Sequence, residues 1–438
     1  MFVLVKNLLL YALYIGGIVV IFLSLTGKVK YGLLFLVPLL PLQNILFKLH
    51  QFPLGKDFND ILILAMLIGW VIYKHSQGEP VFGKTPYNKV LFIYVIFTYI
   101  MLWRGSFYLG YPAPLSAFDV RLQSWKNYMI LPLLFLLTLN NIKDKKEMKQ
   151  LLLFMCVSMF LMSIYTIRQI SWITAWWNRI KLHGTFVWLG ANEVAAFYAT
   201  YTFVLIGIFF LIREKKLRIL LGVLIALNLY CDLFLMSRAA YLATFVALLF
   251  MSIVRNKKLI IPLVLVLLFW QTVLPQEVVE RVQFTQQEQG TLDPSAQTRI
   301  VLWQQSIEYF QKSPIVGIGF DVFSHLGLKR DVHNVYLRTL AEQGLIGLGL
   351  LLFIMLFAFK RAWALYKRAR DKFLKGLGIG FCACILAVIV GNFFGDRWTY
   401  LPLGAYFWVF LGMVERGNII MENQQWPIKK RKREREDE

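Results

Sequence analysis

Uninterrupted apolar runs, most of them close to the roughly 20 residues a helix needs to cross the hydrocarbon core of a bilayer, recur along this chain and restrict its fold more than any other feature. Backbone amides in hydrocarbon find partners only inside a helix or a closed barrel. The runs are longer than barrel strands and do not alternate apolar with polar side chains. The sequence therefore specifies an all-α, polytopic transmembrane helical bundle. With 58% of its 438 residues hydrophobic and a mean hydropathy of +0.58, the composition excludes an ordinary soluble domain.

The candidate spans are Leu8–Leu25, Tyr31–Phe47, Asp60–Tyr73, Val90–Trp103, Tyr128–Leu139, Leu151–Ile167, Val194–Ile212, Ile219–Met236, Ala239–Val254 and Leu259–Leu274, followed by Tyr336–Phe359, Leu377–Phe394 and Tyr400–Val414. They divide the chain into a bundle over 1–274, one helical cap over 275–332 inserted before the last three spans, those spans over 333–415, and a basic tail over 416–438. Leu8–Leu25 is too long for the apolar core of a signal peptide and no small-residue cleavage site follows it, so it reads as the first span.

A net charge of +22 raises the question of nucleic acid, which the placement of the charges answers. Lys143, Lys145, Lys146 and Lys149 form one short basic loop, Arg213, Lys215, Lys216 and Arg218 a second, and Arg255, Lys257 and Lys258 a third. Residues 360–375 and the tail PIKKRKREREDE complete the set. Basic loops after every second span are the positive-inside pattern, so they orient the bundle and no nucleic-acid partner is expected. The tail reads as a solvated topology signal or as a contact for anionic headgroups. The opposite side then receives 104–126, 168–192, the tight turn at Met236–Ala239, the cap, and the turn at 395–399. Thirteen spans would put the N-terminus, with Lys6, on that side; the parity of the first spans stays open around Pro38 and Pro41.

Within the cap, Asp293-Pro294 reads as an N-cap and first-turn proline. Ile300, Trp303, Ile307 and Phe310 then make an amphipathic helix ending at Ser313-Pro314. Gly317 and Gly319 permit close turns, and DVHNVYLRTLAEQGLIGLGLLLF returns to the membrane as one helix with His333 and Asn334 at its outer end.

Arginines on the side that the charge bias should keep clear are the most informative residues. Arg238 is pinned in MSRAAY, with Ser237 as a candidate cap; Arg299 lies on the amphipathic helix; Arg179 follows Trp172, Trp176 and Trp177. A guanidinium presents a planar fork that binds phosphate oxygens bidentately. The plainer alternative is that each snorkels to lipid phosphate, or pairs locally, Asp232 with Arg238 and Asp293 or Glu308 with Arg299. His333 is the candidate proton acceptor, since an imidazole titrates near neutrality and a helix N-terminus favours its neutral form. The alternative is that it caps or packs the helix start; His183 is a weaker candidate.

The outer acids Asp119, Glu193, Asp321 and Asp331 show no paired spacing that would mark a glycosidase. There is no DxD, the cysteines Cys156, Cys231, Cys382 and Cys384 sit inside apolar runs without CxxC, and the histidines are scattered. No metal, cofactor or disulfide is expected. Glu342, inside a span, reads as a structural partner.

TRIVLWQQSIEYFQKSPIVGIGFDVF followed by HNVYLRTLAEQGLIGLGLLLF resembles the signature of the O-antigen ligase and polymerase superfamily over Thr298–Phe359. In that family an external arginine precedes a tryptophan, then a proline with a GxG run, then HNxYLxxLxExGxxGL. SRAA at Arg238 and GTFVWLGANEVA, with Asn192, resemble two further family stretches. The family's twelve-span topology differs from the thirteen candidates above.

The resemblance implies an integral glycosyltransferase, inverting and metal-independent, acting at the periplasmic face of the bacterial inner membrane. It would move a polysaccharide from an undecaprenyl-pyrophosphate-linked donor to a hydroxyl of a lipid A core or other glycan acceptor. It implies that Arg238 and Arg299 bind the pyrophosphate leaving group and that His333 activates the acceptor. Arg179, Asn192, Arg330, Asn334 and Tyr336 are the expected substrate-binding residues. Polymerases and protein O-oligosaccharyltransferases of the same family share the motif; the single large outer loop favours the ligase. A flippase or exporter would need a charged, water-accessible path, and most spans carry no charge.

Overall fold

Helices follow the apolar runs closely, and every regular element among the described residues is helical. The computed structural model describes residues 2–172, 176–284, 294–326 and 331–436. The first elements are α1 (Phe2–Leu25), α2 (Val29–Leu39), α3 (Gln43–Leu49), α4 (Phe58–Ser76), α5 (Tyr87–Tyr108), α6 (Val120–Asn141) and α7 (Lys145–Ile170). A short 3-10 helix, Trp176–Lys181, leads to α8 (Ala191–Phe209), α9 (Lys215–Phe234) and α10 (Arg238–Arg255). Then come α11 (Ile260–Leu268), α12 (Trp270–Val273), α13 (Gln276–Gln283), α14 (Pro294–Lys312), α15 (Val335–Arg368), α16 (Lys372–Gly391) and α17 (Leu401–Glu436). Short polar side chains start several of them. Asp144 accepts from the Glu147 N–H at 2.8 Å, and Asp371 from the N–H groups of Phe373 and Leu374 at 3.0 and 3.1 Å.

Among the described residues nine helices are long and apolar enough to span a bilayer: α1, α4, α5, α7, α8, α9, α10, α15 and α16. The run expected as one span over Tyr31–Phe47 is instead the pair α2 and α3, bent by 113° where Pro41 interrupts the helix. The expected span Leu259–Leu274 is broken at Phe269 into α11 and α12. The long helices α6 and α17 carry polar residues near their ends and pack along each other.

Contacts sort the helix ends into two faces. Lys30 pairs with Glu147 at 2.8 Å, Asn140 accepts from the Gly83 N–H at 2.8 Å and Thr85 bonds Glu415 at 2.9 Å, gathering the ends that carry the basic loops. At the other face Lys126 pairs with Asp60 at 2.5 Å, and the Asn44 N–H donates to the Thr185 carbonyl at 3.0 Å. At the centre, α8 and α16 are buried almost throughout. Their close approach needs glycine: a Cβ on Gly207 would sit 2.5 Å from the Gly376 carbonyl oxygen.

The helix expected to re-enter without interruption is broken at Gly344, where φ is 63° and ψ −164°. The PIVGIG segment supplies partners for the backbone groups freed by the break. Leu345 N–H donates to the Pro314 carbonyl at 2.9 Å and Ile346 N–H to that of Ile315 at 3.2 Å. Ile318 and Gly319 N–H groups donate to the carbonyls of Ala341 and Glu342 at 3.0 and 2.7 Å. A break at this depth is tolerated because protein, not lipid, completes the hydrogen bonds.

A Cβ on Gly344 would also lie 2.3 Å from the Ile315 carbonyl oxygen. Gly344→Ala is therefore expected to destabilise by about 2 kcal/mol or more, from left-handed strain plus the clash. Thermal unfolding of the detergent-solubilised protein, followed by tryptophan emission, checks this; an unchanged midpoint would contradict it.

Candidate active site

On the face opposite the basic loops, residues distant in sequence converge around His333. Asp331 and Val332 lead to it, and Asn334, the N-cap of α15, follows; its side-chain oxygen accepts from the Leu337 N–H at 3.1 Å. Two bonds fix this stretch. Trp303 Nε1 donates to the Val332 carbonyl at 3.2 Å and the Val335 N–H donates to that of Asn392 at 3.0 Å. His333 itself has a φ of 54°. A left-handed backbone in a residue other than glycine costs energy and persists where surrounding structure holds it, often at functional sites. Among the described residues Leu54 (φ 56°), Met236 (φ 53°), two before Arg238, and Asp321 (φ 58°) share the feature.

The His333 ring is part-exposed, with Nδ1 3.6 Å from an Asp331 carboxylate oxygen. Burial lowers its pKa from the ordinary imidazole value; Asp331 and Glu193 oppose this, while Arg299 and Arg397 add to it. The net direction favours the neutral ring, which can accept a proton. Burial, then the neighbouring charge of Asp396, holds the Asp331 carboxyl above its usual range.

Arg299 reaches this centre because it lies one turn before Trp303 on α14, on the face that Trp303 ties to Val332. Arg238 is the first residue of α10; Ser237 occupies the N-cap position, but its hydroxyl makes no cap bond. Arg179 donates from Nε to the Leu235 carbonyl at 3.1 Å and from Nη2 to Asn192 Oδ1 at 2.6 Å. Its pKa is pulled down to about 10, first by burial and then by the charge of Arg281, with Arg238 acting in the same direction against Tyr241 and Glu193. Burial disfavours the charged guanidinium, and the two neighbouring cations add to that in the same direction. Arg179, Asn192, Glu193 and Arg281 line a cavity of about 290 Å³.

Three arginines not singled out from the sequence belong to this region. Arg281, on α13, has the same signal as Arg299: a cation on the outer insert, against the charge bias. Arg397, in the turn before α17, is buried and donates to Glu193 at 2.7 Å; Glu193 also accepts from the Gly190 N–H at 3.0 Å. Arg338 is held by Asp321 at 2.8 Å, Asp396 at 3.1 Å and Glu342 at 3.4 Å. Glu342 is thus a structural partner, and it also accepts from the Phe323 N–H at 3.0 Å.

Asp232, considered above for Arg238, accepts from Thr244 at 2.7 Å. Asp293 and Arg330 lie outside the described residues.

An apolar groove of about 480 Å³ adjoins the centre, between α10, α15 and the end of α16. Leu242, Trp303, Tyr336 and Phe393 line it, and the Tyr336 hydroxyl is tied to the Ile389 carbonyl at 2.7 Å. The face therefore offers a cluster of guanidinium groups, a neutral imidazole and a neighbouring apolar groove. Chemically, that is a place to hold an amphiphile with an anionic head beside a proton acceptor.

The O-antigen ligase family model matches residues 223–352, which include Arg238, Arg281, Arg299, His333, Asn334 and Tyr336; Arg179, Asn192 and Arg397 lie outside the match. No curated protein matches the chain.

Proposed function

We propose, from the premise that this chain belongs to the O-antigen ligase family and has the ligase- or polymerase-like chemistry of that family, that it transfers a glycan from a polyprenyl-pyrophosphate donor to an acceptor hydroxyl. The acceptor is a lipid A core sugar, the face is periplasmic, and the bilayer is the bacterial inner membrane. One observation carries the reading: on the face that the positive-inside bias should keep free of cations, Arg299 and Arg397 act on His333 and Arg238 and Arg281 act on Arg179, with Glu193 within reach of both His333 and Arg179.

In this reading the isoprenoid chain lies along the apolar groove and the pyrophosphate meets the guanidinium forks. Negative charge grows on the pyrophosphate as the glycosidic bond breaks, so preorganised cations stabilise the transition state more than the ground state. His333 takes the hydroxyl proton. Asp331 acts through His333, and is a positioning residue. Transport is disfavoured because α15 carries no ionisable side chain from Gln343 to Phe359, leaving no charged path along it.

The test is direct. Purified protein is incubated with a radiolabelled undecaprenyl-pyrophosphate-linked glycan and lipid A core, and the product is followed by its altered mobility. Transfer is expected; its absence with every acceptor supplied, including a second lipid-linked repeat unit as a polymerase would use, defeats the enzyme reading.

The pH profile gives a finer check. Proton acceptance needs neutral His333, and its pKa lies below the ordinary value, so the rate should fall only on the acid side of that value and be flat above it. Asp331→Asn removes a charge that raises the His333 pKa, so the acid limb should move to lower pH. A shift of that limb to higher pH would contradict the assignment.

A further inference from the structure

A second cavity on the same face is polar and lies apart from the residues assigned to the donor. Its volume is about 460 Å³, inside the roughly 300–1,000 Å³ of small-molecule sites. Asn59 at the start of α4, Asn127 in the first turns of α6, Asp321, Arg338, Tyr400 and Trp188 line it. The Arg338–Asp321 ion pair at 2.8 Å contributes to the lining, and Ser124 donates to the other Asp321 oxygen at 2.6 Å. Trp188 is 61% exposed. Asn59 Oδ1 is buried with no hydrogen-bond partner among the described residues.

This lining differs from the arginine cluster in kind. Its lining cations and carboxylates balance, Lys56 and Arg338 against Asp60 and Asp321; Arg338 is paired with Asp321, and Asp60 with Lys126 beside the cleft at 2.5 Å. An anion gains little here. Side-chain amides that both donate and accept, with an open indole beside them, suit a neutral polyhydroxylated ligand. Its hydroxyls meet the amides and its apolar ring face meets the tryptophan.

Placement gives the cleft a role. Arg338 in the cleft wall pairs with Asp396 at 3.1 Å, the next residue, Arg397, donates to Glu193 at 2.7 Å, and Thr399 and Tyr400 from the same turn line the cleft. The turn before α17 therefore joins the cleft to the arginine cluster, and Arg397 and Glu193 act in turn on His333. In an inverting displacement the attacking hydroxyl and the departing pyrophosphate must lie on opposite sides of the anomeric carbon.

We propose that this polar cleft holds the acceptor glycan and presents its hydroxyl to His333. The assignment rests on the transferase reading above and deepens it. As the acceptor oxygen bonds to the anomeric carbon, the bond from that carbon to the pyrophosphate oxygen breaks. Its electron pair leaves with the pyrophosphate, and the hydroxyl proton passes to His333.

The experiment uses the full-length protein in detergent. The probe is the core oligosaccharide released from rough lipopolysaccharide by mild acid, carrying a fluorophore at its reducing end, with binding read by anisotropy. Trp188 and Asn127 are exposed, so the double variant Trp188→Ala/Asn127→Ala should fold. It is expected to weaken binding about tenfold or more, a loss of ~1.4 kcal/mol, while His333→Ala binds as the unmodified protein does. In the transfer assay the same double variant should raise the acceptor KM and leave the donor KM unchanged.

Binding indifferent to Trp188 and Asn127, no binding by the unmodified protein, or a rise in donor KM alone would each overturn the assignment. Tryptophan-dependent binding without any transfer would keep the cleft and sink the enzyme reading. Transfer with cleft-independent binding would do the reverse.

Discussion

A His333→Ala variant is expected to retain its donor affinity and to lose roughly 10²- to 10⁴-fold in single-turnover transfer, the contribution of a positioned general base. The ring accepts a proton well because burial, Arg299 and Arg397 hold it neutral, and alanine offers nothing in its place. One complication is the backbone. His333 has a φ of 54°, and alanine in the left-handed region adds strain of its own. His333→Asn separates the two effects, since asparagine accepts that backbone readily but cannot act as a base near neutrality. Both variants should lose transfer, and the asparagine variant should keep the thermal midpoint of the unmodified protein. Transfer within threefold of normal in the asparagine variant would remove His333 from the chemistry.

How much of this was legible in the sequence follows from whether each signal is local. The spans were readable because apolar length is a property of a run itself. The bend between α2 and α3 was visible only as Pro38 and Pro41, two prolines that fit a kinked single span equally well. The break in α15 was hidden. AEQGLIGLGL reads as ordinary small-residue helix, and the segment that stabilises the break, PIVGIG, precedes it by about 25 residues, a spacing that no helical period registers.

The candidate site divides along the same line. Arg179, Arg238 and Arg299 stood out because sidedness can be counted along the chain, and the structure puts them within electrostatic reach of one another or of His333. Arg281 carried the same signal without being picked out. Arg397 and Arg338 are different: one sits in a turn and the other on a helix whose acidic partners, Asp321 and Asp396, come from separate segments. Only the fold brings those charges together.

Arg238→Lys is expected to lower transfer by roughly 10²- to 10³-fold, comparable to removing one preorganised donor from a transition-state charge site. Arg238 is the first residue of α10, where the helix macrodipole is positive and a cation is disfavoured by about 0.3–1 kcal/mol. It also adds to the positive potential that lowers the Arg179 pKa to about 10. A guanidinium at a helix N-terminus beside Arg179 suits an arriving anion, because exposed amides and guanidinium then act on the same phosphate. Lysine preserves the charge and most of the stem but replaces the planar fork with a single ammonium, so it cannot span two oxygens of one phosphate. The loss should therefore appear in kcat more than in donor KM, since the fork matters most once charge has built on the leaving group. The comparison that decides is Lys against Ala at this position, with the thermal midpoint as a control for folding. If lysine supports transfer within threefold of arginine while alanine abolishes it, charge alone suffices and bidentate recognition of the pyrophosphate is wrong. If both variants transfer normally, Arg238 is only a membrane-face arginine, and the cation cluster does not act on the donor through α10.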